Sequence, residues 1–88
     1  MAEIRVSEHA LAQAVRRGLS LRSILDVAER PDQTVSVGTA REIRQSLIED
    51  RESGLKFLLR VIVDTSTSAP MVLTAYRTSK IAKYWSRG

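Results

Sequence analysis

The run "LKFLLRVIVD" (residues 55–64) dictates more about the fold than any other stretch. Side chains alternate across a strand, so Leu55, Phe57, Leu59, Val61 and Val63 share one wholly apolar face. Such a face has to be covered by a second layer of structure. The other face carries Lys56, Leu58, Arg60 and Ile62, half apolar with two cations. An arginine interrupts the run, and its apolar core is far too short to cross a bilayer.

The covering layer lies upstream, where the apolar period is helical. Ser7 reads as an N-cap and Gly18 as the residue just past that helix. Between them Ala10, Leu11, Ala14 and Val15 form an apolar stripe, while His9, Gln13, Arg16 and Arg17 share the opposite face. Ser20 caps a second helix, in which Leu21, Ile24, Leu25 and Ala28 make the stripe. "RPD" (30–32) ends it, because a proline disfavours helix in the residue before it. The period then changes. "TVSV" (34–37) is a short β-branched strand, "GTA" a turn, and "REIRQSLIED" (41–50) a strand closed by the hairpin turn "RESG". After the long strand, "DTSTSAP" is a loop and "MVLTAY" a further strand. A short helix from Ser79 would turn Ile81 and Trp85 toward the core and leave Lys80, Lys83, Tyr84 and Arg87 outside. Connections between the strands are too short for crossovers. The expectation is one α+β domain over residues 1–88, with two N-terminal helices on a four-stranded antiparallel sheet and a short C-terminal helix.

Composition narrows the function. Hydrophobic content of 43% and charged content of 27% are ordinary globular values. Fourteen Lys and Arg against ten acids give +4, a balance that suits a polyanionic partner without requiring one. The chain has no cysteine, which removes disulfides and thiolate sites. "MAEIRVSEHA" lacks the apolar core of a signal peptide, so the cytoplasm is the expected location, with no membrane partner. Neither a Gly-rich phosphate loop nor a Gly-x-Ser-x-Gly elbow is present, and no cofactor is expected. Glu49, Asp50 and Glu52 fall at a hairpin tip, where charges serve solubility; with Asp64 they could hold magnesium, but no metal site is expected. A single histidine cannot build a zinc site.

What remains is side-chain acid–base and cationic chemistry. His9 is the only histidine: either a plain surface residue or a general acid or base. "TAYRTSKIAKYW" (74–85) holds three of the four aromatics, interleaved with Arg77, Lys80 and Lys83. This inventory fits cleavage of RNA by its own 2′-hydroxyl, in which the protein only shifts protons and neutralises the phosphorane. Lys56 and Arg60 either line such a groove or solvate the open side of the sheet. Ile81 and Trp85 pack, while Tyr76, Arg77 and Lys80 face the substrate.

"SEHALAQAVRRGLS", followed far downstream by "VLTAYRTSKIAKYW", resembles a small family of RelE-like domains of unassigned function. Its marks are a Ser-x-His-Ala start, an Arg-Gly ending the first helix and a Thr-Ala-Tyr-Arg-Thr-Ser-Lys-Ile-x-Lys-Tyr close. The family looks like part of the barnase–EndoU–colicin–RelE group, mostly metal-independent endoribonucleases acting as toxins. The resemblance implies a RelE-like fold, RNA as substrate (mRNA, free or on the ribosome) and a cognate antitoxin as partner. Its motif positions fall on His9, Arg17, Thr74, Tyr76, Arg77, Ser79 and Lys80. Members usually carry arginine one turn after the histidine; here Gln13 stands there, with Arg16 on the next turn. On the histidine and arginine face of the first helix and the basic, aromatic end, the favoured reading makes His9, Arg17, Arg77 and Tyr76 the catalytic set: His9 as general acid or base, Arg17 and Arg77 on the phosphate, and Tyr76 or Tyr84 positioning a base. Lys56, Arg60, Lys80 and Lys83 would hold the backbone. The same fold also hosts members that bind a protein and cut nothing, so a non-catalytic RNA-, ribosome- or protein-binding module is the alternative.

Overall fold

The computed structural model describes residues 3–86. In chain order the elements are β1 (Arg5–Val6), α1 (Glu8–Arg16), α2 (Leu21–Glu29), β2 (Gln33–Val37), β3 (Arg41–Glu49), β4 (Lys56–Asp64), β5 (Met71–Thr78) and α3 (Ile81–Tyr84). None of the helices among the described residues is long and apolar enough to cross a membrane.

The helices begin and end on local signals. The Ser7 hydroxyl accepts from the Ala10 N–H at 3.0 Å, and the Ser20 hydroxyl from the Ser23 N–H at 3.1 Å, each satisfying one orphan donor of a first turn. Helix α1 stops because Gly18 takes a left-handed φ of +65°. The Gly18 N–H then reaches Val15 O (3.3 Å) and the Leu19 N–H reaches Ala14 O (2.8 Å), the paired closure of a Schellman turn. A third local device shapes the β3–β4 hairpin. The Glu52 N–H and, second, the Ser53 hydroxyl hold the Asp50 carboxyl below the ordinary aspartate range.

The class is α+β, as the sequence predicts, but the sheet is not the expected four-stranded antiparallel one. It has five strands in the order β1-β5-β4-β3-β2, and β1 runs parallel to β5. The missed strand pairs only Arg5 with Met71 and Val6 with Val72, too few residues for any period to show. The other four strands form the expected antiparallel meander.

The apolar face of β4 lies under the helices. Leu59, Val61 and Val63 are buried against Ala10 and Ala14 of α1 and Ile24, Val27 and Ala28 of α2, with Phe57 at the margin. From β5 both Val72 and Ala75 join this core, although three positions separate them. Strict alternation would send them to opposite faces. The register shift at Ile62/Val63 resolves this: Val63 pairs with Val72 and Ile62 with Thr74, so Leu73 is the extra residue of a bulge.

The opposite face is covered in part by α3. The sequence reading placed Tyr84 outside; instead its ring lies 4.2 Å from the Arg60 guanidinium carbon, while Lys80 and Lys83 are exposed as expected. Ile81 and Trp85 are half-buried. Arg87 lies outside the described residues.

Replacing Ile24, fully buried, with Ala should lower stability by about 2–5 kcal/mol through lost transfer energy and a cavity. Urea denaturation measures it, and a loss well below that range would show that the helices are not seated on the sheet. Because the Asp50 carboxyl is depressed in the folded chain, what it adds is complete above about pH 4 and disappears as it protonates at lower pH. An acid titration of D50N beside wild type should therefore converge at low pH.

Candidate functional site

Cross-strand register builds a polar row through the middle of the sheet. Gln33 pairs with Gln45, Gln45 with Arg60 and Arg60 with Tyr76. All four project from the face that α3 covers, since Leu59 and Val61 on either side of Arg60 point to the helices. The row is hydrogen-bonded end to end. Gln45 Nε2 donates to Gln33 Oε1 (2.9 Å), Arg60 Nε to Gln45 Oε1 (2.9 Å) and Arg60 Nη1 to Tyr76 Oη (2.6 Å).

Helix α3 and the residues after it are tied to this row. Gln45 Nε2 also donates to Tyr84 O at 3.1 Å, and Gln33 exchanges two hydrogen bonds with the Ser86 backbone (2.6 and 3.0 Å). Tyr84 lies over Arg60, and Lys83 Nζ stands 5.2 Å from the same ring. Two cations thus share one aromatic ring, an arrangement that concentrates positive potential beside a stacking surface.

Arg60 is the unusual member. It is 7% exposed, yet no carboxylate pairs with it among the described residues, where the sole ion pair is Arg44 with Glu42. A buried guanidinium is ordinarily matched by an acid. Here its partners are an amide oxygen, a phenol oxygen and an aromatic face, none of which carries negative charge. Nη2 makes no hydrogen bond among the described residues. The arrangement offers an anion a preoriented donor next to two tyrosines and a lysine.

A second set of sequence-flagged residues lines the outer edge of β5. Ser7 Oγ reaches Leu73 O (3.4 Å), Thr74 Oγ1 donates to Gln13 Oε1, and Arg17 Nη1 donates to Ala75 O (2.6 Å). Helix α1 therefore caps a strand edge that β1 is too short to pair. His9 stands one turn before Gln13, exposed and without a hydrogen bond among the described residues. Thr74 shares its strand face with Tyr76, by their pairing with Ile62 and Arg60, so of the polar residues on α1 it is Gln13, bonded to Thr74, that touches the face of the polar row.

Not all the predicted residues converge. Arg77 pairs with Leu59 and projects to the helix side, where its guanidinium carbon lies 5.5 Å from the Phe57 ring. Adjacent strand residues face opposite ways, so Tyr76 and Arg77 cannot act on one phosphate from one side of the sheet. The expected phosphate pair of Arg17 and Arg77 is not formed: Arg17 is anchored on Ala75 O. Arg17 also sits eight residues after His9, about 12 Å along the helix. Arg60 neither lines an open groove nor solvates the sheet, as the two sequence readings had it, because α3 lies over it. Lys56 is exposed on the Arg60 face, four residues and about 13 Å away along the strand. Lys80 is exposed at the start of α3, and Ser79 before it is exposed too.

Gln33 and Gln45 were missed. The signal was present: the turn at residues 38–40 pairs Val37 with Arg41, and counting back pairs the two glutamines. The described residues contain no group of three or more His, Cys, Asp or Glu spaced to hold a metal ion.

Gln45 is fully buried and serves Arg60, Gln33 and Tyr84 at once. Gln45→Ala should cost about 2–4 kcal/mol in urea unfolding and shift the fluorescence of Trp85, the sole tryptophan, as the C-terminal segment loosens. An unchanged midpoint would show that the row does not hold that segment. Comparison of the chain with protein-family models, with curated proteins and with solved structures returns no significant match.

Proposed function

We propose that this chain is a metal-independent endoribonuclease of the toxin–antitoxin type, acting in the cytoplasm on a RelE-like scaffold. The observation that carries the reading is Arg60: a buried cation paired with no acid among the described residues, hydrogen-bonded to a tyrosine hydroxyl and stacked on a second tyrosine. RNA supplies what such a centre lacks, a phosphodiester anion with bases beside it. The order of two helices followed by an antiparallel meander also agrees with the RelE-like resemblance.

In this reading the substrate's own 2′-oxygen attacks phosphorus and the bond to the 5′-oxygen breaks. The 2′-hydroxyl proton goes to a base and the leaving 5′-oxygen takes a proton from an acid. Arg60 neutralises the developing charge, Tyr76 stands within its hydrogen-bond reach as a proton donor, and Tyr84 stacks a base. His9, exposed and without a side-chain hydrogen bond among the described residues, is the base. Lys83, Lys80 and Lys56 hold the backbone. A short antitoxin protein is the expected neutralising partner.

The test is RNA incubated with purified chain in EDTA. Wild type should leave 2′,3′-cyclic phosphate ends, Arg60→Lys and Tyr76→Phe should each be slower by at least about 10²-fold, and His9→Ala by about 10²–10⁴-fold. Intact RNA after incubation with folded wild type sinks the cleavage reading.

A specific observation favours a second reading, a non-catalytic module that binds RNA, the ribosome or a protein. Gln13 and Arg17 are both committed to β5, and α3 covers Arg60. RNA affinity that falls with salt, at a slope of about −0.7 per phosphate neutralised, with no products, identifies that case.

A further inference from the structure

The two edges of the sheet are treated differently. Beyond β1, the outer edge of β5 is capped by Ser7, Gln13 and Arg17 of the first helical segment. The other edge is β2, which no strand or helix among the described residues covers. Among the described residues the backbone of Gln33–Val37 pairs only with β3, leaving the outward N–H and C=O groups of alternate residues without partners. Edge strands are ordinarily protected by charge, proline or a bulge. β2 has none of these: its sequence is Gln-Thr-Val-Ser-Val, uncharged and mostly β-branched, in unbroken register with β3. Its apolar side chains also continue inward. Val35 pairs with Ile43 and Ile43 with Ile62, a half-buried row on the α3 side, and Val37 at the strand end is 46% exposed.

We propose that β2 is a self-association surface, where two copies of this chain pair antiparallel about a two-fold axis through Val35 and join their sheets into one. The choice of occupant follows from charge. Pairing the strand with itself sets Thr34 opposite Ser36 of the second copy and Gln33 opposite its Val37, with no like charges in register. A strand from an acidic or basic partner would meet no complementary charge on these five residues. A two-fold also brings the Val35–Ile43 rows of both copies side by side, extending an apolar strip that each copy alone leaves half in water. The pairing leaves Arg60, Tyr76 and α3 untouched, so it stands or falls independently of any activity on RNA.

Sedimentation equilibrium tests it, from about 10 μM to about 1 mM chain at about 50 and about 500 mM salt. The average mass should rise toward twice the chain mass, and more readily at high salt, because copies that each carry +4 repel. RNA binding has the opposite salt dependence, which separates the two. The variant T34K/S36K changes two exposed side chains and sets ammonium groups against one another across the axis. It should keep the wild-type circular dichroism and stay a single chain over the same range. Amide exchange should show concentration-dependent protection within β2 in wild type alone. A wild type that remains one chain at every concentration overturns the proposal. So does a variant that associates as strongly as wild type.

Discussion

A guanidinium buried at the centre of the sheet sets the terms for half of the molecule. Removing a charge from water costs several kcal/mol even after relaxation, and Arg60 meets that with two hydrogen bonds and an aromatic face. Each compensating group brings a different element with it: Gln45 from β3, Tyr76 from β5, Tyr84 from α3. Gln45 in turn needs Gln33 of β2, which fastens the backbone at Ser86. The C-terminal segment is therefore held less by burial than by amide and arginine geometry, and α3 itself contains no fully buried residue.

The other half depends on ordinary packing. Ile24, Val27 and Ala28 of α2 and the small residues Ala10 and Ala14 of α1 meet the apolar side of β4. Small side chains on α1 let it lie close to β5, near enough for Gln13 and Arg17 to reach that strand. The bulge at Leu73 completes the arrangement by putting both Val72 and Ala75 into the core while Thr74 and Tyr76 keep the other face. Thr74 and Tyr76 thus owe their direction to one extra residue in the strand.

Much of this is legible in the sequence because it is local. Ser7, Ser20 and Gly18 announce both helices, and the alternation in β4 states which face the helices cover. The two-residue β1 is not legible, since its pairing with β5 is decided by sequence neighbours more than sixty positions away. The burial of Arg60 is hidden for a different reason. Alternation says which face a residue takes, not whether a single helical turn will later lie over it. Alternation did forbid Tyr76 and Arg77 from sharing a face, and a motif that names both as site residues obscures that. The Arg17–Ala75 contact is equally non-local: a helix-terminal arginine reads as a free cation until the strand edge beneath it is known.

Sealing one margin of a sheet has a consequence for how such a chain can accumulate. Ribbons that lengthen without limit need two sticky sides per subunit, one to accept and one to offer. With α1 laid along the middle of β5 and β1 only two residues long, β2 is the longer open margin among the described residues, so pairing through strands is directed there and uses that margin up. The arginine and glutamine that anchor α1 thereby narrow the length of β5 on which a further strand could seat.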